Sequence, residues 1–201
     1  MVEHAQHLSR EKRQEHTVET MIQMASEHSP DEITTTAIAK RMGLSQGALF
    51  KHFPNKDAML KAVMVWVADR LLNRIDRAVQ GKEALPALEA ALMTHIEFVL
   101  NNPGVPRILF GELQRSKMTP AKQMANTLMM RYAEKMKNIV EQGQQAGQLH
   151  ADVDAASAAT MFIGMVQGLV MQSMLTGSLK EMPSQAKLAF KIYQRGIEVA
   201  S

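Results

Sequence analysis

Between Ile33 and Lys56 the sequence reads ITTTAIAKRMGLSQGALFKHFPNK, with Lys40, Arg41, Lys51 and Lys56 and neither Asp nor Glu. This stretch is +4 in a chain whose formal net charge at pH 7 is only +3, so the remainder is close to neutral. Cations concentrated in this way, with hydroxyl and amide side chains between them, suit a polyanion. Lysine and arginine release its condensed counterions, while hydroxyls and backbone N–H groups donate to its phosphate oxygens. Ile38, Ala39, Met42, Leu44, Leu49 and Phe53 can face inward, which leaves Thr35, Thr36, Gln46, Gly47, Ala48, Phe50, Lys51 and His52 outside. Gly43 supplies a sharp bend and Ser45 a helix cap, giving two short helices about a tight turn, the length and chemistry of a helix-turn-helix.

The elements that hold this segment read as helices throughout, and nothing alternates as a strand does. Ser9 caps a first helix to about His28, with Val18, Met21, Ile22 and Ala25 as its inner stripe. A short helix after Thr34 runs to Gly43, and a third begins at Ser45. Asn55 then caps a long helix along which Met59, Leu60, Val63, Trp66, Val67, Leu71, Ile75 and Ala78 recur at helical spacing. Beyond Gly81, Pro86 opens a helix to about Asn101, and Pro103 or Pro106 opens the next. Thr119-Pro120 starts another long helix that ends before Gly147. Asp152 or Asp154 caps a helix that Gly177 ends, and Pro183 opens the last. The predicted fold is all-α with about nine helices: a helix-turn-helix domain over residues 1–56 and a larger helical domain over 57–201.

Composition agrees with a helical protein. In 201 residues, hydrophobic types make up 46% and aromatics only 4%, while there are 17 Met, a balance that favours a helical core filled with flexible thioethers. The absence of Cys excludes disulfides, thiolate metal sites and thiol nucleophiles. No phosphate loop, dinucleotide fingerprint or zinc-protease motif occurs, so neither an enzyme nor a cofactor is expected. His4 and His7 give only a weak chelating pair, with His16 elsewhere on its helix, and no metal is expected. The first residues, Met1 to Arg13, lack an apolar core, which predicts a cytoplasmic protein. Ala155 to Leu179 carries no charge, but Ser157, Thr160, Gln167, Gln172, Ser173 and Thr176 interrupt it. It is read as a helix buried on most sides, by its own domain or by a partner subunit, rather than a membrane span.

The row from the first helix through Asn55-Lys56-Asp57-Ala58-Met59-Leu60 resembles the DNA-binding signature of the tetracycline-repressor (TetR) family. The resemblance implies a homodimeric repressor that enters the major groove of double-stranded DNA through its N-terminal helices. Its C-terminal helices would dimerise and hold an inducer. Carried over by position, Thr35 contacts phosphate through hydroxyl and backbone N–H. Ser45, Gln46, Gly47 and Ala48 open the recognition helix, with Gln46 at a base edge and Gly47 allowing close approach to DNA. Lys51, His52 and Lys56 match positions that touch phosphate or the groove edge. Phe50 stands where most members have Tyr; its ring can instead meet a thymine methyl group.

The second half is longer than DNA reading requires. Met161, Gly164, Met165, Gly168 and Ile192 are the expected dimer interface, because glycines at i, i+4 let helices approach and methionines add adaptable apolar area. Trp66, His95, Phe98, Phe110, Met165, Gln167 and Met171 offer an apolar lining with a few polar handles for a small hydrophobic inducer. The run from Asn101 through Pro103-Gly104-Val105-Pro106 to Leu109, with Gly111 following, is similar to a segment of the TetR-like nucleoid-occlusion division inhibitors. That likeness opens an alternative in which the DNA-bound chain acts through a protein partner.

Overall fold

The computed structural model describes residues 9–199, and within them the chain forms nine α-helices. These are α1 (Arg10–Glu27), α2 (Thr35–Arg41), α3 (Gln46–Phe50), α4 (Lys56–Val79), α5 (Ala84–Asn101), α6 (Gly104–Gln114), α7 (Pro120–Gln145), α8 (Ala155–Thr176) and α9 (Met182–Ile197). The punctuation follows the expected chemistry. Ser9, Thr34, Ser45 and Asp154 each accept from a backbone N–H of their helix's first turn, and Gly177 ends α8 in the left-handed region at φ 71°. Helix α5 starts at Ala84, ahead of Pro86. The N–H groups of a first turn have no intrahelical acceptor, so a proline there loses no hydrogen bond, and the Ala84 N–H donates to Gln148 Oε1. A 3-10 turn at Leu179–Glu181 and an isolated antiparallel bridge between Leu149 and Glu198 were not expected from the sequence.

The packing forms two compact units that do not follow a single cut in the chain. The first takes residues 1–69 and 102–126, the second residues 70–101 and 127–201. Helix α6 therefore packs with α1, in the same unit as α2 and α3. In the first unit α1 and α6 pack closely. Gly104 explains how closely: a Cβ there would lie 1.9 Å from the backbone oxygen of Ile22, with the Ser26 nitrogen at 3.0 Å. Gly111, about two turns on, lies against Pro30. The core around this contact includes Met21, Ala25, Ile38, Leu49, Met59 and Ile108.

The second unit is held by α5, α8 and α9, with an aromatic column running through it. His95 Nδ1 lies 3.2 Å from the Tyr132 hydroxyl, Tyr132 meets the edge of Phe162, and Phe162 meets Tyr193, whose hydroxyl donates to the Ala158 carbonyl at 3.0 Å. Burial disfavours charge on both members of the first pair, pushing His95 down to about 4 and Tyr132 upward. Helix α8 passes the length and composition test for a membrane span, yet one side of it packs into this core through Ala158, Phe162, Val166 and Leu169. Its other side is exposed in the single chain, with Met161 at 66% and Leu175 at 79%.

Two stability outcomes follow. Gly104→Ala improves helix propensity by about 1 kcal/mol, but the added methyl meets backbone that can move only by separating α1 from α6, an overpacking cost of about 1–3 kcal/mol; thermal unfolding should show a lower melting temperature. For His95 the unfolded chain binds more protons between pH 6.5 and about 4, so the stability from its neutral ring is complete above that window and is lost as pH falls through it. Denaturant titrations across the window should show the parent chain losing about 3 kcal/mol more than His95→Gln, which cannot titrate.

Candidate nucleic-acid interface

Two capped helices and one glycine build the reading head. The Thr34 Oγ1 accepts from the Ala37 N–H at 3.1 Å and starts α2; the Ser45 Oγ accepts from the Ala48 N–H at 3.2 Å and starts α3. Between them Gly43 takes φ 68°, a left-handed turn that a β-carbon would strain. Ile38 and Leu49 are fully buried and fix the two helices on the unit's core, whereas Met42 and Leu44 are only half-buried.

The outward set is largely as expected. Thr36, Ser45, Gln46, Gly47, Phe50 and Lys51 are exposed, Phe50 at 41%, while Thr35, Ala48, His52 and Lys56 are half-buried. Gln46 Nε2 donates to Thr35 Oγ1 at 3.0 Å. This bond ties the first side chain of α3 to α2 and occupies one of its donors; the residue is otherwise exposed. Nothing lies within 4 Å of where a Gly47 Cβ would stand, so the backbone at the start of α3 is open to close approach.

Charge is arranged less simply than the count of four cations implied. Arg41 holds the Glu27 carboxylate of α1 at 2.5 and 2.6 Å. Lys56 Nζ donates to the Pro30 carbonyl at 2.7 Å, and burial pulls its ammonium pKa down while Asp31 opposes the shift. Two of the four are thus engaged within the protein, and Lys40 and Lys51 remain exposed at the head. Two further cations come from outside the segment: burial first, then Arg13 and Arg10 of α1 together with Lys51, hold the His52 imidazole below the ordinary histidine value. Gln14 Nε2 donates to the His52 carbonyl at 3.2 Å, which brings that end of α1 to the end of α3. The signal was in the sequence as Arg-x-x-Arg just inside the Ser9 cap, but a search confined to residues 33–56 passes over it. A third tie secures α4: Arg115 bridges Asp57 at 2.8 Å and the buried Glu112 at 3.1 Å, and Thr119 donates its hydroxyl to the other Glu112 oxygen.

The residues expected to line a ligand site are distributed over both units. Trp66 and Phe110 are half-buried members of the first unit. In the second, Phe98 is buried beneath the Arg74 guanidinium and His95 pairs with Tyr132, but Gln167 and Met171 lie on the exposed side of α8. Their helical phase is the reason: they follow Gly164 and Gly168 along the outer face, not Phe162 and Val166 along the inner one. Met165 lines a groove of about 370 Å³ between α8 and α9, with Met161, Ile192 and Tyr193. Gly164 and Gly168 open onto empty space, and Leu188 and Ile192 stand 63% and 73% exposed on α9. His4 and His7 lie outside the described residues.

Comparison with known proteins agrees with this architecture. Residues 19–63 match the model of the bacterial regulatory proteins of the tetR family, and residues 115–188 match that of the tetracyclin repressor-like C-terminal domain. The nucleoid occlusion factor SlmA of Shewanella amazonensis is 24% identical over 174 residues, 86% of this chain and 88% of that protein. Its counterpart from Vibrio atlanticus is 28% identical over 158 residues, 78% and 81% of the two chains. In fold, the chain is similar to the ketosteroid transcriptional regulator KstR2 of Mycobacterium tuberculosis (TM-score 0.75, 20% identity, covering 94% and 96%). It is also similar to the fatty acid degradation regulator FadR of Bacillus halodurans (TM-score 0.81, 16% identity, covering 90% and 94%). With a capped, cationic helix-turn-helix at one end and a helical second half that matches a family model of its own, this chain belongs to the TetR family of DNA-binding transcriptional regulators.

Proposed function

We propose that the chain is a cytoplasmic homodimeric repressor that binds a palindromic operator and is released by a small apolar ligand. The observation that carries the reading is the exposed start of α3, with Gln46 oriented by Thr35, open backbone at Gly47 and Lys51 beyond. On this reading Gln46 reads a base edge, Phe50 meets a thymine methyl group, and Thr35, Thr36, Ser45 and Ala48 border the groove through hydroxyl or backbone contacts. Lys51 and His52 serve phosphate. Lys56 serves it only by releasing the Pro30 carbonyl, so its effect on affinity is smaller than that of Lys51.

The face of α8 and α9 that carries Met161, Gly164, Met165, Gly168 and Ile192 is assigned to the partner subunit, and Gln167 and Met171 join it. For the inducer, the second unit offers His95 with Tyr132 as the polar handle and Phe98 as apolar surface. The fold neighbours include a SmeT complex with triclosan (TM-score 0.77, 19% identity), which supports an apolar ligand class. Release requires the ligand to favour the conformer whose recognition helices no longer fit two grooves, by about 5.5 kcal/mol for a switch from 1:99 to 99:1.

The SlmA likeness supports a second reading, in which the DNA-bound chain works through a protein partner. The glycines in the shared run have a packing duty in this chain, Gly104 against Ile22 and Gly111 against Pro30, so that run does not favour it.

Selection of fragments from sheared genomic DNA at about 150 mM salt tests the two readings together. A palindrome at one or a few promoters is the expected result; many dispersed sites would replace repression with the occlusion-like role, and no enrichment over random DNA would remove both. On the selected site, Gln46→Ala should relax base preference, whereas Lys51→Ala should weaken selected and random DNA alike and lower the salt slope by about 0.9 per lost phosphate contact. Ile192→Asp places a charge on the α8/α9 face and should give a monomer in sedimentation; a dimer that survives it would move the interface elsewhere.

A further inference from the structure

We propose that the first turn of α1 and the end of the recognition helix form one phosphate site for duplex DNA, made by Arg10, Arg13, Lys51 and His52. The site extends the interface beyond the helix-turn-helix, and it rests on the DNA-binding reading given above.

Its geometry comes from two elements. Arg10 and Arg13 are three residues apart on α1 and therefore share a face of that helix. The Gln14 hydrogen bond to the His52 carbonyl holds this end of α1 against the residues that follow α3, where Lys51 is exposed. The charges acting on His52 are Arg13 and Arg10 from α1 and Lys51 from its own segment, all positive. Glu11 and Lys12 are exposed on the same turn of α1 and are not among them. The Nδ1 of His52 is buried without a hydrogen-bond partner among the described residues. Like charges converging on one imidazole repel each other, and an anion placed among them removes that repulsion.

The position of this cluster selects the anion. Lys51 and His52 directly follow the helix whose start faces the bases, so the phosphate within reach is one in the backbone of the same duplex. Binding then has a second consequence. In the free protein, burial first and the three cations next keep the His52 ring neutral near neutral pH. A phosphate neutralises the cations and favours the imidazolium, so DNA binding takes up a proton and tightens as pH falls through the ordinary histidine range.

The test uses the full chain and a labelled random-sequence duplex several helical turns long, so that no operator need be known. Arg10→Ala with Arg13→Ala should lower the slope of log K against log[salt] by about 1.8 per protomer, and Arg10→Lys with Arg13→Lys should restore it. Wild-type affinity should rise from pH 8 to pH 6 more steeply than that of His52→Gln, by up to about one proton per protomer. Inorganic phosphate at matched ionic strength should not compete beyond its salt effect; specific competition would make this a free-phosphate site and overturn the assignment to DNA. An unchanged slope in the double alanine variant, with a lowered slope in Lys51→Ala, would exclude α1 from the interface. Equal pH dependence in wild type and His52→Gln would exclude the histidine. If the wild type shows no salt-dependent binding to any duplex, the DNA-binding reading itself fails, which is a different result from failure of the α1 site alone.

Discussion

The contact on which the first unit depends is the approach of Gly104 to the Ile22 carbonyl, because it sets how α1 lies against α6. Helix α1 in turn fixes the DNA-reading elements at both of its ends. Near its start, Gln14 holds the carbonyl of His52, after α3; at its close, Glu27 holds Arg41, at the end of α2. The exposed ion pair alone is worth no more than about 1 kcal/mol. Burial of Met21, Ile22 and Ala25 supplies most of the energy, and the polar ties supply direction. A small residue at position 104 thus has its effect far along the chain, in the pose of α2 and α3.

Electrostatics in this unit divide into charges that hold the protein together and charges that face outward. Arg41, Lys56 and Arg115 belong to the first kind, each within hydrogen-bond distance of a protein oxygen. Glu112 shows why such ties are strict: its carboxylate is only 5% exposed, so without Arg115 and Thr119 it would be a buried charge with no compensation. Lys40 and Lys51 are of the second kind. A count of basic residues along the sequence does not separate these kinds, because most of the partners that distinguish them, Glu27, Pro30 and Asp57, lie far along the chain from the cations they hold.

What was legible in the sequence was local. Caps such as Ser9, Thr34, Ser45 and Asp154 act on their own first turn, and Gly43 and Gly177 act on their own backbone, so helix boundaries and the helix-turn-helix could be read without tertiary information. Longer-range features could not. The tie between Arg115 and Asp57 spans 58 positions. The packing of α6 with α1 depends on a backbone approach that the letter Gly104 permits without announcing. Gln167 and Met171 were assigned to a pocket by residue type, when their phase on α8 relative to Phe162 and Val166 already placed them on the other side.

The shortness of α3 has a consequence for specificity. It spans five residues, Gln46–Phe50, and Gln46 is its one side chain able to form a bidentate contact with a base. Such a contact discriminates by about 1–3 kcal/mol, whereas useful selection of a site against genomic DNA takes about 4–10 kcal/mol. Phosphate contacts from Lys51 or its neighbours raise affinity for every sequence equally and cannot close that gap. Two protomers on a symmetric site double the base contacts at once, and deformation of the DNA between them can add to the difference. On the proposed reading, the open glycine and methionine face of α8 with α9 and the short α3 answer one requirement, since a chain that reads so few bases gains selectivity by reading them twice.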